Sequence, residues 1–157
     1  KGEHERIIEG DVFSGVKVDE EHDRMSYSID QITIIPEGDD VHEVFGWALP
    51  RLNQYSHSRS YFSWLMPKKE YVLDARVKGG RRAMIMSGEY DSVLPMDIYG
   101  EYLIKAIITG NIDKQEQLGI YEVSPEDFAL AEFVDSSKQP LQQIVRNGLN
   151  TLRKENE

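Results

Sequence analysis

The sequence contains no cysteine. Disulfides, thiolate metal sites, iron–sulfur ligation and cysteine nucleophiles are therefore excluded within its 157 residues. Histidine is scarce, and His4, His22, His42 and His57 stand far apart. No pair has the i, i+4 spacing of a helical metal site. Long apolar runs are missing too, and no stretch approaches the roughly 18–20 residues that span a bilayer. Nothing near Lys1 resembles a signal peptide, because no apolar segment follows the charged start Lys1-Gly2-Glu3-His4-Glu5-Arg6. That polar opening, without an initiator Met, reads as part of a longer protein. Membrane contact is expected only through partners. Basic residues are outnumbered, 18 Lys and Arg against 28 Asp and Glu, for a net charge of −10. A chain this acidic is a poor binder of phosphate backbones, so no nucleic acid is expected as partner.

The charge is unevenly spread. Residues 51–82 hold eight basic side chains against Glu70 and Asp74, a local +6 that leaves −16 elsewhere. The same stretch carries Tyr55, Tyr61, Phe62, Trp64 and Tyr71. Arginine next to aromatics is the composition of protein docking surfaces. Arg59, Trp64, Arg81 and Arg82 are the candidate partner-docking residues. Two other readings compete. Trp64, Tyr71 and Leu73 could be core beneath an ordinary charged rim, or the island could take an anionic ligand or a single strand of nucleic acid.

Local patterns place strands first and helices second. Ile32-Thr33-Ile34-Ile35 is an apolar run closed by the turn signal Glu37-Gly38-Asp39-Asp40. A second short run, 44–49, stops at Pro50. Residues 71–77 alternate, with Tyr71, Leu73, Ala75 and Val77 on one side. With Gly79-Gly80 as the turn, the pattern predicts a β-hairpin over 71–87. From Asp97 the period becomes helical. Tyr102, Leu103, Ala106 and Ile107 form a stripe closed by Gly110, and Asn111 caps a short helix ending at Gly119. Ser124-Pro125-Glu126-Asp127 starts another helix, since serine accepts orphan amide bonds and acids favour the positive end. Pro140 opens the last one, whose stripe is Leu141, Ile144, Val145, Leu149 and Leu152, with Arg153 and Lys154 at its negative end. The fold class is α+β: a β-rich region over 1–67, and a hairpin plus helices over 68–157.

No motif carries catalysis. Asp19-Glu20-Glu21-His22-Asp23 lacks the alternating ligands and central glycine of a calcium loop. Gly79-Gly80-Arg81-Arg82 lacks the spacing and strand-to-helix setting of a phosphate loop. Ser56, Ser58, Ser60 and Ser63 lie near His57, but no nucleophile elbow accompanies them. No residue is assigned a catalytic, cofactor-binding or metal role.

Several segments in order carry a family resemblance. They include Arg6-Ile7-Ile8-Glu9-Gly10-Asp11-Val12-Phe13-Ser14-Gly15, then Gln31-Ile32-Thr33-Ile34-Ile35-Pro36-Glu37-Gly38 and Phe45-Gly46-Trp47-Ala48. Gly79-Gly80-Arg81-Arg82-Ala83-Met84 and Gly88-Glu89-Tyr90-Asp91-Ser92-Val93-Leu94-Pro95-Met96-Asp97-Ile98 follow. Leu103-Ile104-Lys105-Ala106-Ile107-Ile108-Thr109-Gly110, Gln117-Leu118-Gly119-Ile120 and Glu126-Asp127-Phe128-Ala129-Leu130 close the series. Together they resemble the C-terminal third of the A subunit of the sodium-translocating NADH:quinone oxidoreductases.

The resemblance implies a partial β-grasp-like ligand-binding module followed by a helical region related to a ferredoxin-like segment that has lost its clusters. Ala131 and Asp135 stand where the family's two remnant cysteines are expected. It also implies a cofactor-free peripheral subunit on the cytoplasmic face of the bacterial inner membrane. NADH, flavins, iron–sulfur centres and quinone belong to the whole complex, which exports sodium as electrons pass to quinone. Partners would be the other subunits, with a contribution to quinone access. The alternatives are a free-standing small-ligand-binding β-grasp module, which needs a helix between its strands, and a docking domain with no enzymatic role.

Overall fold

A computed structural model describes residues 4–19, 24–39, 49–57, 59–77, 79–85 and 87–157. The chain divides into two compact units, Lys1–Gly80 and Arg81–Glu157. A small antiparallel sheet in the first and helices in the second make the fold α+β, as expected.

The first unit is built on three strands, β1 (Glu5–Glu9), β2 (Val16–Lys17) and β3 (Ile32–Pro36), in the order β2-β1-β3. Ile7 faces Ile34 and Ile8 faces Thr33 across the central ladder. Period-2 alternation then divides the sheet into two faces. Ile8 is buried on one, whereas Ile7, Val16, Ile32 and Ile34 stay exposed on the other. Asp11 turns the chain from β1 to β2, accepting hydrogen bonds from the Phe13 and Ser14 amides at 2.6 and 2.9 Å. These bonds, led by the Ser14 amide, favour the anion and lower its pKa. Arg6 donates to both Glu37 oxygens, at 2.8 and 2.5 Å, closing the sheet beyond β3. That guanidinium holds the Glu37 carboxyl below the usual carboxylate range.

The hairpin expected over 71–87 does not form among the described residues. Residues 71–77 form no strand, with a bend at Ala75, whose amide donates to the Pro36 carbonyl at 2.9 Å. Gly79 does adopt the left-handed φ of +90° that a turn needs. Two ladder-forming arms are what is missing. Most of the short run 44–49 lies outside the described residues.

The second unit contains α1 (Gly100–Ile108), α2 (Ile112–Gln117), α3 (Ala129–Val134) and α4 (Leu141–Asn156). Its core joins Tyr90, Leu103, Ile104, Ile120, Phe128 and Val145, with further apolar side chains around them. The buried face of α1 is set by Leu103, Ile104 and Ala106. Tyr102, expected in the buried stripe, points to solvent, and Ile104 takes its place. On α4 the expected stripe does face the core, with Leu141, Val145 and Leu152 buried and Ile144 and Leu149 partly so. Gly148 lets α4 approach closely. A Cβ there would meet Ile107 Cγ2 at 3.0 Å and Ile120 Cδ1 at 3.1 Å.

The helix caps follow local chemistry. The Asn111 side chain accepts from the Lys114 amide at 3.0 Å, and Gly119 ends that segment at φ +83°. Ser124 donates from its amide and its hydroxyl to the Asp127 carboxylate, at 2.7 and 2.9 Å. Pro125–Phe128 is a 3-10 turn that runs into α3. Asp127→Ala removes this end of the cap and is expected to cost about 1 kcal/mol. The check is the chemical-denaturation midpoint of the helical circular dichroism signal. An unchanged midpoint would mean that the turn is held by Pro125 and Phe128 alone.

Candidate docking surfaces

The basic aromatic island straddles the division between the two units. Arg59 and Trp64 belong to the first, Arg81 and Arg82 to the second. All four side chains are exposed.

In the first unit the segment around Trp64 is tied down from several sides. Phe62–Leu65 is a 3-10 turn whose Phe62 amide donates to the Pro50 carbonyl at 3.1 Å. The Tyr71 hydroxyl donates to the Ser63 carbonyl at 3.1 Å, and Tyr55 meets Tyr71 edge to face at 6.1 Å. Lys69 donates to the Leu52 carbonyl at 3.1 Å and lies 5.9 Å from the Tyr71 ring centre. Arg51 stands over Tyr61 at 5.8 Å. Ser63 is buried by this arrangement, yet its neighbours Phe62, Trp64 and Leu65 are all exposed, Trp64 at 49%. The reading that Trp64 and Leu73 are core is therefore overturned, because both side chains are about half in solvent. Arg59 takes a left-handed φ of +55°.

In the second unit the Arg82 backbone is held by hydrogen bonds and its side chain is exposed. The Arg82 amide donates to the Ser137 carbonyl at 2.9 Å, and Gln139 donates its side-chain amide to the Arg82 carbonyl at 2.6 Å. The anchor of this loop is Asp135, a buried carboxylate at the end of α3. It accepts from the Ser137 amide at 3.0 Å, from the Ser137 hydroxyl at 2.7 Å and from the Gln139 amide at 2.7 Å. The Tyr90 hydroxyl is buried beside Asp135 and Ser137. Burial first, and the Asp135 charge second, push its ionisation far above the ordinary tyrosine range. Glu101, also buried, accepts from the Ser87 and Gly88 amides at 3.2 and 2.9 Å at the positive end of α1. Ala131 and Asp135 lie one helical turn apart, with the Asp135 amide donating to the Ala131 carbonyl at 2.9 Å. Ala131 is enclosed in the core, and the Asp135 carboxylate is committed to its loop.

A cleft of about 400 Å³ opens in the same unit along 91–99, between Asp91, Asp97 and Tyr99. Sequence patterns do not mark it, although the run of Pro95, Asp97 and Gly100 signals irregular backbone. Among the described residues, no group of three or more His, Asp or Glu is placed to hold a metal ion. No helix among them is long and apolar enough to cross a membrane.

Comparison with known proteins bears on what such surfaces serve. No family model matches the chain. The A subunit of the Na(+)-translocating NADH-quinone reductase of Neisseria meningitidis is 35% identical over 150 residues, which covers 96% of this chain and 33% of that protein. Its counterpart in Rhodopirellula baltica is 33% identical, and that in Yersinia pestis 32%, over the same shares. The chain is similar to one part of these A subunits. It spans about one third of the length of the family members it matches. The docking candidates and the cleft are thus surfaces on a portion of an A-subunit homologue.

Proposed function

We propose that this chain is the C-terminal third of such an A subunit, where it serves as a cofactor-free docking part of a sodium-pumping NADH:quinone oxidoreductase. NADH oxidation and quinone reduction, coupled to sodium export, would take place on other subunits. The chain would sit peripherally on the cytoplasmic face of the bacterial inner membrane, held there by its partners. Quinone access would be shaped by it without any residue here reacting. The observation that carries the reading is the pinned turn that presents Phe62, Trp64 and Leu65 to solvent next to basic side chains. Large apolar side chains on a fixed turn cost little to order on binding and are enriched among interface hot spots. The named function of the relatives supplies the partner class.

The free-standing β-grasp alternative lacks support, since the described residues before 100 contain no α-helix to lie between strands.

The test is capture of the tagged chain by the membrane subunits of the complex in detergent. Trp64→Ala and the double variant Arg81→Ala/Arg82→Ala are run beside it. Trp64→Ala is expected to weaken capture about tenfold or more, as a hot-spot truncation does. The arginine pair should act mainly through the association rate and its salt dependence. No capture of the folded wild-type chain would sink the subunit reading.

A further inference from the structure

We propose that the 91–99 cleft seats a lysine- or arginine-bearing segment of a membrane-embedded partner subunit. The inference rests on the function proposed above and adds a second contact, chemically opposite to the basic island. The cleft floor is apolar and fixed. Leu94, Met96 and Ile98 pack partly against the buried core of the helical unit. Their backbone is held by successive short turns. The Leu94 amide donates to the Tyr90 carbonyl at 2.9 Å, the Ile98 amide to Met96 at 3.2 Å and the Gly100 amide to Ile98 at 2.9 Å. Such a surface exists before the ligand arrives, so binding need not order it.

The rim is anionic and aromatic. The Asp91 and Asp97 side chains are exposed, and neither has a hydrogen-bond or ion-pair partner among the described residues. Neither arginine nor lysine lines the cleft. Tyr99, 72% exposed, borders it and stacks edge to face with Tyr102 at 6.0 Å. The Tyr102 ring is 56% exposed. A long basic side chain fits each part of this surface. Its methylenes match the floor, and its charge matches two carboxylates and open tyrosine faces. An anionic lipid or a phosphate would meet only repulsion here. Membrane subunits carry their excess of lysine and arginine in short cytoplasmic loops close to the bilayer, which is where a peripheral subunit meets them.

The experiment titrates the 157-residue chain with a synthetic peptide alternating arginine and leucine, followed by amide NMR shifts. A glutamate–leucine peptide is the control probe. Shifts should concentrate over 91–102, and Asp91→Asn/Asp97→Asn should weaken binding about tenfold, the scale of two partly exposed charge contacts. Asp113→Asn/Glu155→Gln, which removes the same charge elsewhere, should change it less than about twofold. Thermal midpoints of both variants establish that they are folded. Shifts spread over other acidic surfaces, or an unaltered affinity in Asp91→Asn/Asp97→Asn, would overturn the cleft. The same variants go into the membrane-subunit capture. Equal capture of wild type and Asp91→Asn/Asp97→Asn overturns the cleft and leaves the subunit reading intact. Peptide binding without capture of any form overturns the subunit reading and, with it, the identity of this partner.

Discussion

Phe128→Ala is expected to destabilise the helical unit by about 3–5 kcal/mol, the range for emptying a buried phenylalanine site. Phe128 has no solvent exposure and lies in the core with Tyr90, Leu103, Ile104 and Val145. It is also wedged at the start of α1, where a Cβ on Gly100 would lie 3.6 Å from its ring. Removing the ring therefore loosens the contact of the 3-10 turn Pro125–Phe128 with α1 as well as creating a void. Globular proteins hold roughly 0.05–0.15 kcal/mol per residue, so a unit this small has little margin. Chemical denaturation followed by helical circular dichroism should show the midpoint falling steeply or the native baseline lost. Trp64 lies in the first unit, so its fluorescence is the wrong probe for this loss. A midpoint close to wild type would mean that the site collapses around the missing ring.

Asp135→Ala should cost about 2–4 kcal/mol, because three donors lose a charged acceptor at once. The Ser137 amide, the Ser137 hydroxyl and the Gln139 amide all converge on this buried carboxylate. The turn it organises also holds Lys138 at a left-handed φ of +56°, a conformation that a lysine adopts only when its surroundings impose it. Asp135→Asn keeps one accepting oxygen and loses the charge, so it should fall between wild type and alanine. The stability series aspartate, asparagine, alanine measured by denaturation checks this order. Equal stability of all three would show that the loop is held by Arg82 and Ser137 backbone contacts alone. The buried Tyr90 hydroxyl provides a second reading of the site. Its ionisation should move toward the ordinary tyrosine range in Asp135→Asn, since one of its two main causes of elevation is removed.

The two units differ in how far local patterns predict their structure. In the helical half nearly every element is legible. Asn111, Gly119, Ser124, Pro125 and Pro140 stand at helix ends where local chemistry puts them. Caps and the 3.6 period involve residues a few positions apart, so a single chain segment holds the whole signal. The exchange of Tyr102 for Ile104 on α1 is a rotation of one face, decided by what packs opposite.

The β half is legible only in part. Ile32–Pro36 is a strand, but the charged ends of its partner Glu5–Glu9 hide that partner from a search for apolar runs. Residues 71–77 alternate well and still form no ladder among the described residues, because alternation describes a surface and pairing needs a neighbour. The docking candidates follow the same division. Composition alone singles out Arg59, Trp64, Arg81 and Arg82, as well as the absence of cysteine chemistry. Whether Trp64 is core or surface cannot be read from its neighbours in sequence, because burial depends on residues brought from elsewhere in the chain. The 91–99 cleft is the same case, since its apolar floor and acid rim are ordinary residues until backbone turns set them around one space. The residues by themselves determined the absence of cysteine chemistry, the charge, the helix ends and the resemblance to the A subunits. Tertiary structure decided which apolar side chains face water, because that is a property of non-local packing.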